Sequence, residues 1–355
     1  MRIAIVGAGA AGLVAGRTLA GQGHEIIVYE KSRGFGGRAA TRHTHDCIVD
    51  HGAQYLNIPD DLPAVRRLVL EELPRDGLVD IGRPVYTFDK DNHIEAGDEK
   101  QNGSPKWTYA AGLSTLGKRL ADTAGLEVRR QTRVARLERL SAGYRLYDEE
   151  GEALGEADRV LVAAPAPQAV ELLRASAIDT GRRARVLAEL EGTAYQPMCT
   201  FMFGYQRPPE GTIYAGGAPA DPRPYYALVN TDRGHDISWL AVENDKGPSR
   251  APEGVLAVVA QMAVPFSERH YDEPPEGLVA GVDGQVRDLL GVDLGAPLWS
   301  DHARWRYAKP ADMIDLATLN RDHDGLFFAG DYTTGWRLHL ALQNGLDVAP
   351  MIANT

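Results

Sequence analysis

The first residues whose types and spacing point to chemistry are three glycines near the start of the chain, Gly7, Gly9 and Gly12. They follow a short apolar run, Ile3 to Val6, and open a stretch of small residues that favours a helix. In such a strand, turn and helix, the first glycine permits a tight turn and the second lets a pyrophosphate approach the backbone. The third lets the helix pack on the strand. The free N–H groups at the helix start then face the phosphates. The spacing predicts a bound dinucleotide, with a glycine-rich structural turn as the alternative.

A carboxylate and a guanidinium follow this fingerprint. Glu30 ends a second apolar strand, where a carboxylate accepts hydrogen bonds from both ribose hydroxyls and leaves no space for a 2′-phosphate. Gly37 and Arg38 then belong to a second glycine-rich turn. A nicotinamide dehydrogenase has no need of that turn, whereas a flavin enzyme can use Arg38 as a planar, multi-donor charge for the FAD pyrophosphate. The sequence therefore predicts FAD.

Composition limits the remaining possibilities. The 355 residues, 44% of them hydrophobic, supply enough material for two cores. A net charge of -11 argues against a general nucleic-acid or anionic-membrane surface. Because the fingerprint begins at residue 3, we expect no signal peptide ahead of it, and the apolar stretch there is too short to span a bilayer. Two cysteines, Cys47 and Cys199, agree with a reducing compartment, so we expect a cytoplasmic protein without a membrane or nucleic-acid partner.

Three potential metal ligands, His43, His45 and Cys47, alternate along a short stretch. On one strand they would share a face and could bind a metal ion. The sequence offers no second cluster of ligands, and the exposed face of a hairpin explains the pattern equally well. No metal is predicted.

Two neighbouring motifs carry a family resemblance. Gly-Gly-Arg-x-x-Thr at 36–41, followed by Asp-x-Gly-Ala-Gln-Tyr at 50–55, resembles the renalase family within the FAD-dependent amine oxidase superfamily. The resemblance implies an α/β fold. It consists of a Rossmann-like, doubly wound FAD-binding domain of the GR2 type and a second α+β substrate domain built on a mixed sheet. It also implies that Gln54 and Tyr55 lie close to the isoalloxazine ring. A strand end with a buried tyrosine is the alternative.

Other segments resemble renalases as well. Trp107 begins the segment that returns the chain to the FAD-binding domain, and it either lines the active site or packs at a domain seam. Val134 matches the position where superfamily members contact adenine through the main chain. Strand alternation places Trp305 and Tyr307 on one face and Arg306 on the other, and either face can meet the cleft.

The carboxy-terminal motif is a buried strand that ends in Gly330 and Asp331 and is followed by a helical stretch, 338–352. In the superfamily such an aspartate lies near the ribitol and pyrophosphate, and the helix start faces N1 and the C2 carbonyl of the flavin. Two-electron reduction places negative charge there, which the positive end of a helix stabilises. His339 lies at this helix start and is a candidate flavin contact. The loop contains no cysteine, so the FAD is predicted to be non-covalent.

Periodicity predicts the elements between these motifs. The expected helices include 61–73, 169–173, 255–264 and 277–290, and the expected strands include 200–205, 225–229 and 237–242. Lys246 and Lys309 are most simply interpreted as solvated lysines, with a solvent-relay or anion-binding role as the alternative. The predicted FAD-binding domain consists of 1–57, 106–165 and 311–355, and the predicted substrate domain consists of 58–105 and 166–310.

These inferences give two sets of candidate site residues. The cofactor set is Gly7, Gly9, Ala10, Ala11, Gly12, Glu30, Lys31, Gly37, Arg38, Ala39, Gln54, Tyr55, Val134, Gly330, Asp331, Leu338, His339 and Leu340. The set facing the substrate or the flavin ring is Gln54, Tyr55, Trp107, Trp305, Tyr307 and His339.

The resemblance implies an oxidase that moves a hydride from an isomeric dihydro-NAD(P) to flavin N5, with O2 as the electron acceptor. Two alternatives remain open. One is a flavin amine oxidase, in which Tyr55, Trp107, Trp305 and Tyr307 form an aromatic cage for the amine. The other is a flavoprotein that binds FAD for structure or redox sensing without a metabolic substrate.

Overall fold

The structure is a computed structural model that describes residues 1–178 and 180–354. Its strands in chain order are β1 (Arg2–Val6), β2 (Glu25–Glu30), β3 (Thr41–Thr44), β4 (Cys47–Asp50), β5 (Leu56–Asn57), β6 (Leu78–Asp80), β7 (Val85–Phe88), β8 (Ile94–Glu95), β9 (Lys106–Tyr109), β10 (Glu127–Arg130), β11 (Arg136–Arg139), β12 (Tyr144–Tyr147), β13 (Ala153–Ala157), β14 (Arg159–Val162), β15 (Tyr195–Gln206), β16 (Ala227–Asn230), β17 (Ile237–Val242), β18 (Val255–Met262), β19 (Trp299–Pro310) and β20 (Leu326–Phe328).

The α-helices in chain order are α1 (Ala10–Ala20), α2 (Pro63–Arg67), α3 (Glu99–Asn102), α4 (Thr115–Asp122), α5 (Ala166–Ala175), α6 (Thr180–Glu191), α7 (Val264–His270), α8 (Val279–Leu290), α9 (Leu316–Asn320), α10 (Asp331–Thr334) and α11 (Leu338–Ala353). A π-helical turn, Leu68–Glu72, continues α2, and 3-10 turns occur at Glu243–Lys246 and Pro275–Gly277. No helix in the described ranges is both long and apolar enough to cross a membrane.

The first large sheet is parallel, with the strand order β10-β2-β1-β14-β20. Its central strands are buried on both faces, which explains their nearly continuous apolar sequences. Helices α1, α4 and α11 cover one face, and α5, α6 and the antiparallel group β11-β12-β13 cover the other. Because parallel strands end at one edge, the turns that follow β1, β2 and β20 lie along the same carboxyl edge.

The second large sheet has the strand order β19-β15-β18-β17-β16-β7-β8 and is mixed, since only β16 and β7 run parallel. One face is covered by α7 and α8 through residues such as Phe266 and Val286. The opposite face packs on the β3-β4 hairpin through Cys47 and Val49. This sheet therefore extends over the chain segment that follows β4.

The predicted fold class is confirmed: a Rossmann-like domain is combined with a second unit built on a mixed sheet. The predicted helices over 277–290 and 338–352 correspond to α8 and α11. The helix predicted over 255–264 is wrong, because these residues form β18 and end in the first turn of α7. The strand is central and its side chains are nearly all buried. Its sequence is therefore almost continuously apolar, with no alternation of apolar and polar residues, and cannot be distinguished from that of a buried helix.

The idea that His43, His45 and Cys47 share one strand face is also wrong. Strand β3 ends at Thr44, and His45 and Asp46 form the turn of a hairpin in which Thr44 pairs with Cys47. Both turn residues have positive φ, 48° and 58°, as a tight hairpin turn requires. The three side chains therefore do not line up as metal ligands.

The division into an FAD-binding and a substrate domain at the predicted boundaries is kept as a proposal. Helices α5 and α6 lie within the segment 166–310, yet they bury residues such as Ala169 and Val186 in the core cluster of the parallel sheet. By packing, these two helices belong with the parallel sheet.

Candidate functional site

A cavity of about 1240 Å³ lies along the carboxyl edge of the parallel sheet. Its wall brings together Gly9, Glu30, Arg38, Trp305 and Asp331, which come from distant parts of the chain. Pockets for drug-sized ligands measure roughly 300–1,000 Å³. This cavity is larger than that range, as the binding of an extended dinucleotide requires.

The first glycine turn exposes bare backbone to this cavity. Gly7 has φ +114°, and a Cβ there would lie 2.9 Å from the carbonyl oxygen of Ala163. A Cβ on Gly12 would lie 2.2 Å from the carbonyl oxygen of Gly7, so α1 can pack on the turn only because Gly12 has no side chain. At Gly9 a Cβ would have no neighbour within 4 Å, and the residue lines the cavity. The open space at Gly9 and the amino terminus of α1 together form a cradle for an anion.

The second glycine turn packs directly on the first. Gly37 has φ +59°, and a Cβ there would lie 3.3 Å from the Cα of Gly9. The neighbouring Gly36 forms an isolated bridge with Gly9, and its N–H donates to the carbonyl oxygen of Ala8. The two turns therefore form one continuous surface, which carries Arg38 into the cavity wall.

Glu30 is held in one orientation at the end of β2. Its carboxylate accepts hydrogen bonds from the N–H of Ala8 at 2.8 Å and from the N–H and hydroxyl of Ser32 at 2.8 and 2.6 Å. The side chain is buried at 8% exposure, yet it lines the cavity. A carboxylate has about four acceptor sites, so about one remains for a ribose hydroxyl.

Arg38 connects three segments of the chain. Its Nη1 donates to the carbonyl oxygens of Tyr307 and Ala308, at 3.0 and 3.3 Å, and forms a short ion pair with Asp331. Asp331 is buried and also accepts a hydrogen bond of 2.7 Å from the hydroxyl of Tyr195. Burial and the nearby Asp331 carboxylate raise the pKa of Tyr195, so this phenol stays protonated and remains a donor. The guanidinium lines the cavity, so its positive charge can attract an anion bound there.

Helix α11 begins at the cavity, where Leu338 and Ala341 form part of the wall. The positive end of its dipole therefore faces any ligand bound there. His339 is buried and does not line the cavity. Burial, together with Arg337, lowers its pKa, which disfavours the charged imidazolium. The helix start, and not a charged histidine, supplies positive potential at this end of the cavity.

The structure brings most of the candidate residues to one cavity. Those in its wall are Gly7, Gly9, Ala10, Ala11, Glu30, Lys31, Gly37, Arg38, Ala39, Val134, Trp305, Tyr307, Gly330, Asp331 and Leu338. Those outside its wall are Gly12, Gln54, Tyr55, Trp107, His339 and Leu340.

Gln54 lies just behind the wall in a buried hydrogen-bond network. Its Nε2 donates to the carbonyl oxygens of Asp50 and Gly52, at 2.6 and 3.1 Å, and its Oε1 accepts from Nζ of Lys246 at 2.8 Å. The interpretation of Lys246 as a solvated lysine is wrong, because its side chain is fully buried and forms a 2.5 Å ion pair with Glu243. An unpaired charge could not be buried in this way.

Arg250 completes this network, and no sequence motif identified it. Its guanidinium forms ion pairs with Asp50 and Glu243, at 2.9 and 3.2 Å, and donates to Thr108 and to the carbonyl oxygen of Tyr109, both at 2.9 Å. Arg250 is 1% exposed. The network joins the mixed sheet to β4 and β9 directly beneath residues 51–55.

The aromatic residues of β19 face this same segment. Trp305 donates from Nε1 to the carbonyl oxygen of His51 at 3.0 Å, and its ring stacks on the His51 imidazole at 5.2 Å. Tyr307 packs edge-on against Tyr195. Arg306 points to the opposite side, where it pairs with Asp272 at 3.1 Å. Both faces of β19 therefore contribute to the cavity wall: Trp305 and Tyr307 come from one face, and Arg304 and Arg306 come from the other.

The four aromatic residues considered for an amine cage do not gather into one. Tyr55 contacts Trp239 at 6.0 Å, whereas Trp305 stacks on His51 and Tyr307 packs on Tyr195. Within the described ranges, no ring contact joins two of the four candidates.

The cavity wall is basic although the chain carries a net charge of -11. Among the described residues it contains the basic side chains Lys31, Arg33, Arg38, Arg42, Lys118, Arg130, Arg133, Arg304 and Arg306, against the acidic Glu30, Glu149, Glu171 and Asp331. This concentration of positive charge attracts a polyanionic ligand.

These features fit FAD. The cradle at Gly9 and the guanidinium of Arg38 suit its pyrophosphate, the oriented Glu30 carboxylate suits its ribose, and the start of α11 suits the pyrimidine side of its ring. Both cysteines of the chain, Cys47 and Cys199, are buried away from the cavity wall, in agreement with non-covalent binding.

Comparisons with known families agree with this cofactor. A profile described as flavin containing amine oxidoreductase matches residues 92–352, and a profile of an NAD(P)-binding Rossmann-like domain matches residues 5–72. Among curated proteins, an L-amino-acid oxidase of Sistrurus catenatus edwardsii is 40% identical over 77 residues, which cover 22% of this chain and 14% of that protein. A 4,4'-diapophytoene desaturase of Staphylococcus aureus (strain Newman) is 38% identical over 60 residues, 17% of this chain and 12% of that protein. These matches thus span only a small part of the relatives' length.

Solved structures match over nearly the whole chain. A putative protoporphyrinogen oxidase from Exiguobacterium sp. 255-15 has a TM-score of 0.73 at 17% identity and covers 99% of this chain and 98% of its own. Cyclohexylamine oxidase from Brevibacterium oxydans IH-35A has a TM-score of 0.74 at 13% identity, with 99% and 98% coverage. At such low identity the likeness establishes the fold and leaves the substrate undetermined.

Proposed function

Because the chain belongs to the flavin-containing amine oxidoreductase family and is an FAD-dependent oxidoreductase, we propose that it is a renalase-like oxidase of an isomeric dihydro-NAD(P), with O2 as the electron acceptor. When bound, FAD supplies the redox chemistry by accepting a hydride at N5 and returning two electrons to O2. The net reaction converts the dihydronicotinamide, O2 and a proton to the oxidised nicotinamide and hydrogen peroxide.

The observation that carries this proposal is the charge of the cavity wall beside the β19 aromatic residues. Arg42, Arg304 and Arg306, which we call the arginine rim, line the cavity next to Trp305. A protonated amine is repelled by such a rim, whereas the phosphates of a dinucleotide are attracted to it. The scattered positions of the four cage candidates also weigh against a caged amine.

The three arginines differ in how far neighbouring acids neutralise them. Arg42 is paired with Asp301 at 2.6 Å, and Arg306 forms an exposed pair with Asp272 that contributes little. Arg304 donates to the carbonyl oxygen of Tyr271 at 2.8 Å and has no carboxylate partner among the described residues. Arg304 is therefore the member of the rim most available to a substrate phosphate.

The residues of this chain would act by binding and orientation. The rim would hold the phosphates, Trp305 would provide a flat apolar surface beside the reacting ring, and the start of α11 would stabilise negative charge that develops near it. Hydride transfer between two bound rings needs no protein acid or base, so correct positioning accounts for most of the rate.

Anaerobic mixing tests the proposal. The yellow protein is mixed separately with dihydronicotinamide isomers of NAD(P), with ordinary NADPH and with a panel of amines, and bleaching of the flavin is followed. Fast bleaching by a dihydronicotinamide isomer is the expected result. Fast bleaching by amines alone would favour an amine oxidase, and no bleaching by any compound would favour the redox-sensing alternative.

A matched pair of variants tests the role of the rim. Arg304→Gln should raise the half-saturating substrate concentration about fivefold to tenfold, and the effect should shrink with added salt. Arg269→Gln is the control, since this exposed arginine of α7 pairs with Asp236 outside the cavity wall. Equal effects of the two substitutions would contradict the assigned phosphate contact.

A further inference from the structure

His51 is a cavity-wall residue that no motif assigned to the site. It follows directly on β4, and its backbone is fixed at both ends: its N–H donates to the carbonyl oxygen of Ala40 at 3.2 Å, and its carbonyl oxygen accepts from Trp305. Its ring lies nearly parallel to the Trp305 indole, with an interplanar angle of 18°. At 9% exposure the side chain is buried, yet it lines the cavity. The imidazole is therefore held rigidly at the cavity surface.

The two ring nitrogens of His51 have different surroundings. Nδ1 is sealed from solvent and has no hydrogen-bond partner among residues 1–178 and 180–354. Nε2 is not among the sealed polar atoms and is engaged in no hydrogen bond within the described part of the chain, so it is the ring nitrogen open to the cavity. A buried N–H without a partner is less tolerable than a bare acceptor. The favoured neutral tautomer therefore carries its proton on Nε2, toward the cavity.

The charge state agrees with this tautomer. Burial, with a contribution from Arg42, lowers the pKa of His51 to about 4, although Asp50 and Asp301 oppose the shift. The imidazole is then neutral at physiological pH. A neutral donor suits an uncharged carbonyl oxygen, in contrast to the arginine rim, which suits phosphates.

We propose that His51 is a specificity-determining substrate contact whose Nε2–H donates a hydrogen bond to the carboxamide oxygen of the nicotinamide ring. The assignment rests on the proposed function, because the carboxamide is the uncharged acceptor that distinguishes a nicotinamide from an amine. His51 would select the ring end of the substrate, while the arginine rim would bind its phosphate end.

The first test examines the imidazole without any substrate. In the FAD-bound protein labelled with ¹⁵N-histidine, the His51 signals are assigned by their loss in His51→Phe. We expect the Nε2–H tautomer, without titration between about pH 5 and 8. An Nδ1–H tautomer or an imidazolium in this range would overturn the assignment of His51 and leave the proposed function intact.

The second test measures binding through the flavin absorbance, with NAD+ and ADP-ribose as probes. ADP-ribose lacks the nicotinamide ring, so His51→Leu should weaken NAD+ binding about tenfold and leave ADP-ribose binding unchanged. His51→Gln retains a donor and should recover most of the affinity. His51→Phe retains the stack on Trp305 and should lose as much affinity as His51→Leu, so it reports on the hydrogen bond even if leucine disturbs the fold.

His323 provides a matched control. It stacks on Phe327 at 4.5 Å, and its sealed Nδ1 has no partner in the part of the chain that the structure describes, but it lies outside the cavity wall. His323→Leu should leave both affinities unchanged. Equal loss of NAD+ and ADP-ribose binding in His51→Leu, or no loss of either, would overturn the proposed contact. Failure of the wild-type protein to bind NAD+ would instead reject the proposed function, and the carboxamide contact with it.

Discussion

Arg250 provides the sharpest test of how the two sheets are held around the cavity. Replacing it with methionine keeps the length of the side chain but leaves Asp50 and Glu243 buried with only Lys246 to balance them. All four side chains are fully buried, so water cannot replace the lost partner. Removing one member of a buried ion pair typically costs about 3–5 kcal/mol. We expect Arg250→Met to lower the free energy of unfolding by about that amount.

The sign of the pH dependence follows from the carboxylates. Burial alone would raise the pKa of Asp50, but Arg250 and Lys246 hold it below its ordinary value. Without the guanidinium, burial dominates and the folded-state pKa of Asp50 rises above the unfolded value of about 3.9. A carboxyl with a raised pKa destabilises the fold when it is ionised, so the deficit grows as the pH increases from about 4. The variant should therefore be closest to wild type near pH 4 to 5 and furthest from it near pH 8.

Urea unfolding of the FAD-bound protein across this pH range is the assay. Arg269→Met removes an exposed arginine of a surface pair and should cost less than about 1 kcal/mol at every pH. Adding Asp50→Asn to Arg250→Met should restore part of the stability and reduce the pH dependence. If Arg250→Met were no less stable than Arg269→Met, or if its deficit did not change with pH, the reasoning about this network would be refuted.

Three further predictions concern the cavity. Arg38→Ala should weaken FAD retention, because it removes the guanidinium and leaves the buried Asp331 without its cation. The flavin content of the variant after gel filtration measures this effect. A variant that purifies with full flavin would count against a role of Arg38 in binding the pyrophosphate. Glu30→Gln should raise the FAD dissociation constant about tenfold, since a neutral amide is a poorer acceptor for ribose hydroxyls. Titration of the apoprotein with FAD measures this effect. FMN, which lacks the adenosine, is the control ligand and should bind wild type and variant equally. His51 should make the fold acid-sensitive, because its pKa is lowered to about 4 in the folded protein. Its contribution to the free energy of unfolding, at most about 3 kcal/mol, is present above about pH 6.5 and is lost as the pH falls toward 4. Unfolding curves of His51→Phe should therefore show a smaller loss of stability over this pH range than those of wild type.

The cofactor half of the site could be predicted from the sequence because its determinants are local. A tight turn with a backbone open to an anion requires glycines at fixed spacing, so Gly7, Gly9 and Gly12 identify it without tertiary information. Gly37 and Arg38 follow within the same short stretch. The same logic explains why the start of α1 is predictable, since a helix that begins after a glycine-rich turn has a recognisable sequence.

The errors have a common physical cause, which is that burial depends on partners distant in sequence. Lys246 is a polar residue in a polar stretch, and its burial depends on Glu243 and Gln54, which no local pattern announces. The sequence of 255–264 wrongly favours a helix, because a strand buried on both faces shows no two-residue alternation of apolar and polar side chains. The position of His51 in the site cannot be predicted from local sequence, because its ring is fixed by Trp305, which lies far along the chain.

Gly52 explains how the cofactor turn and the mixed sheet come to share one cavity. A Cβ on Gly52 would lie 2.0 Å from the carbonyl oxygen of Arg38 and 3.3 Å from the Trp305 ring, so only glycine allows both to approach this closely. Its own carbonyl oxygen accepts hydrogen bonds from Gln54 and from Gln261 of the mixed sheet, at 3.1 and 2.5 Å. The same backbone position thus sets the distance between the guanidinium predicted to hold the cofactor and the aromatic wall proposed to hold the substrate. A hydride moves only between closely positioned atoms. The fold would therefore control the reaction through the contact of Gly52 with Arg38 and Trp305, more than through any acid or base.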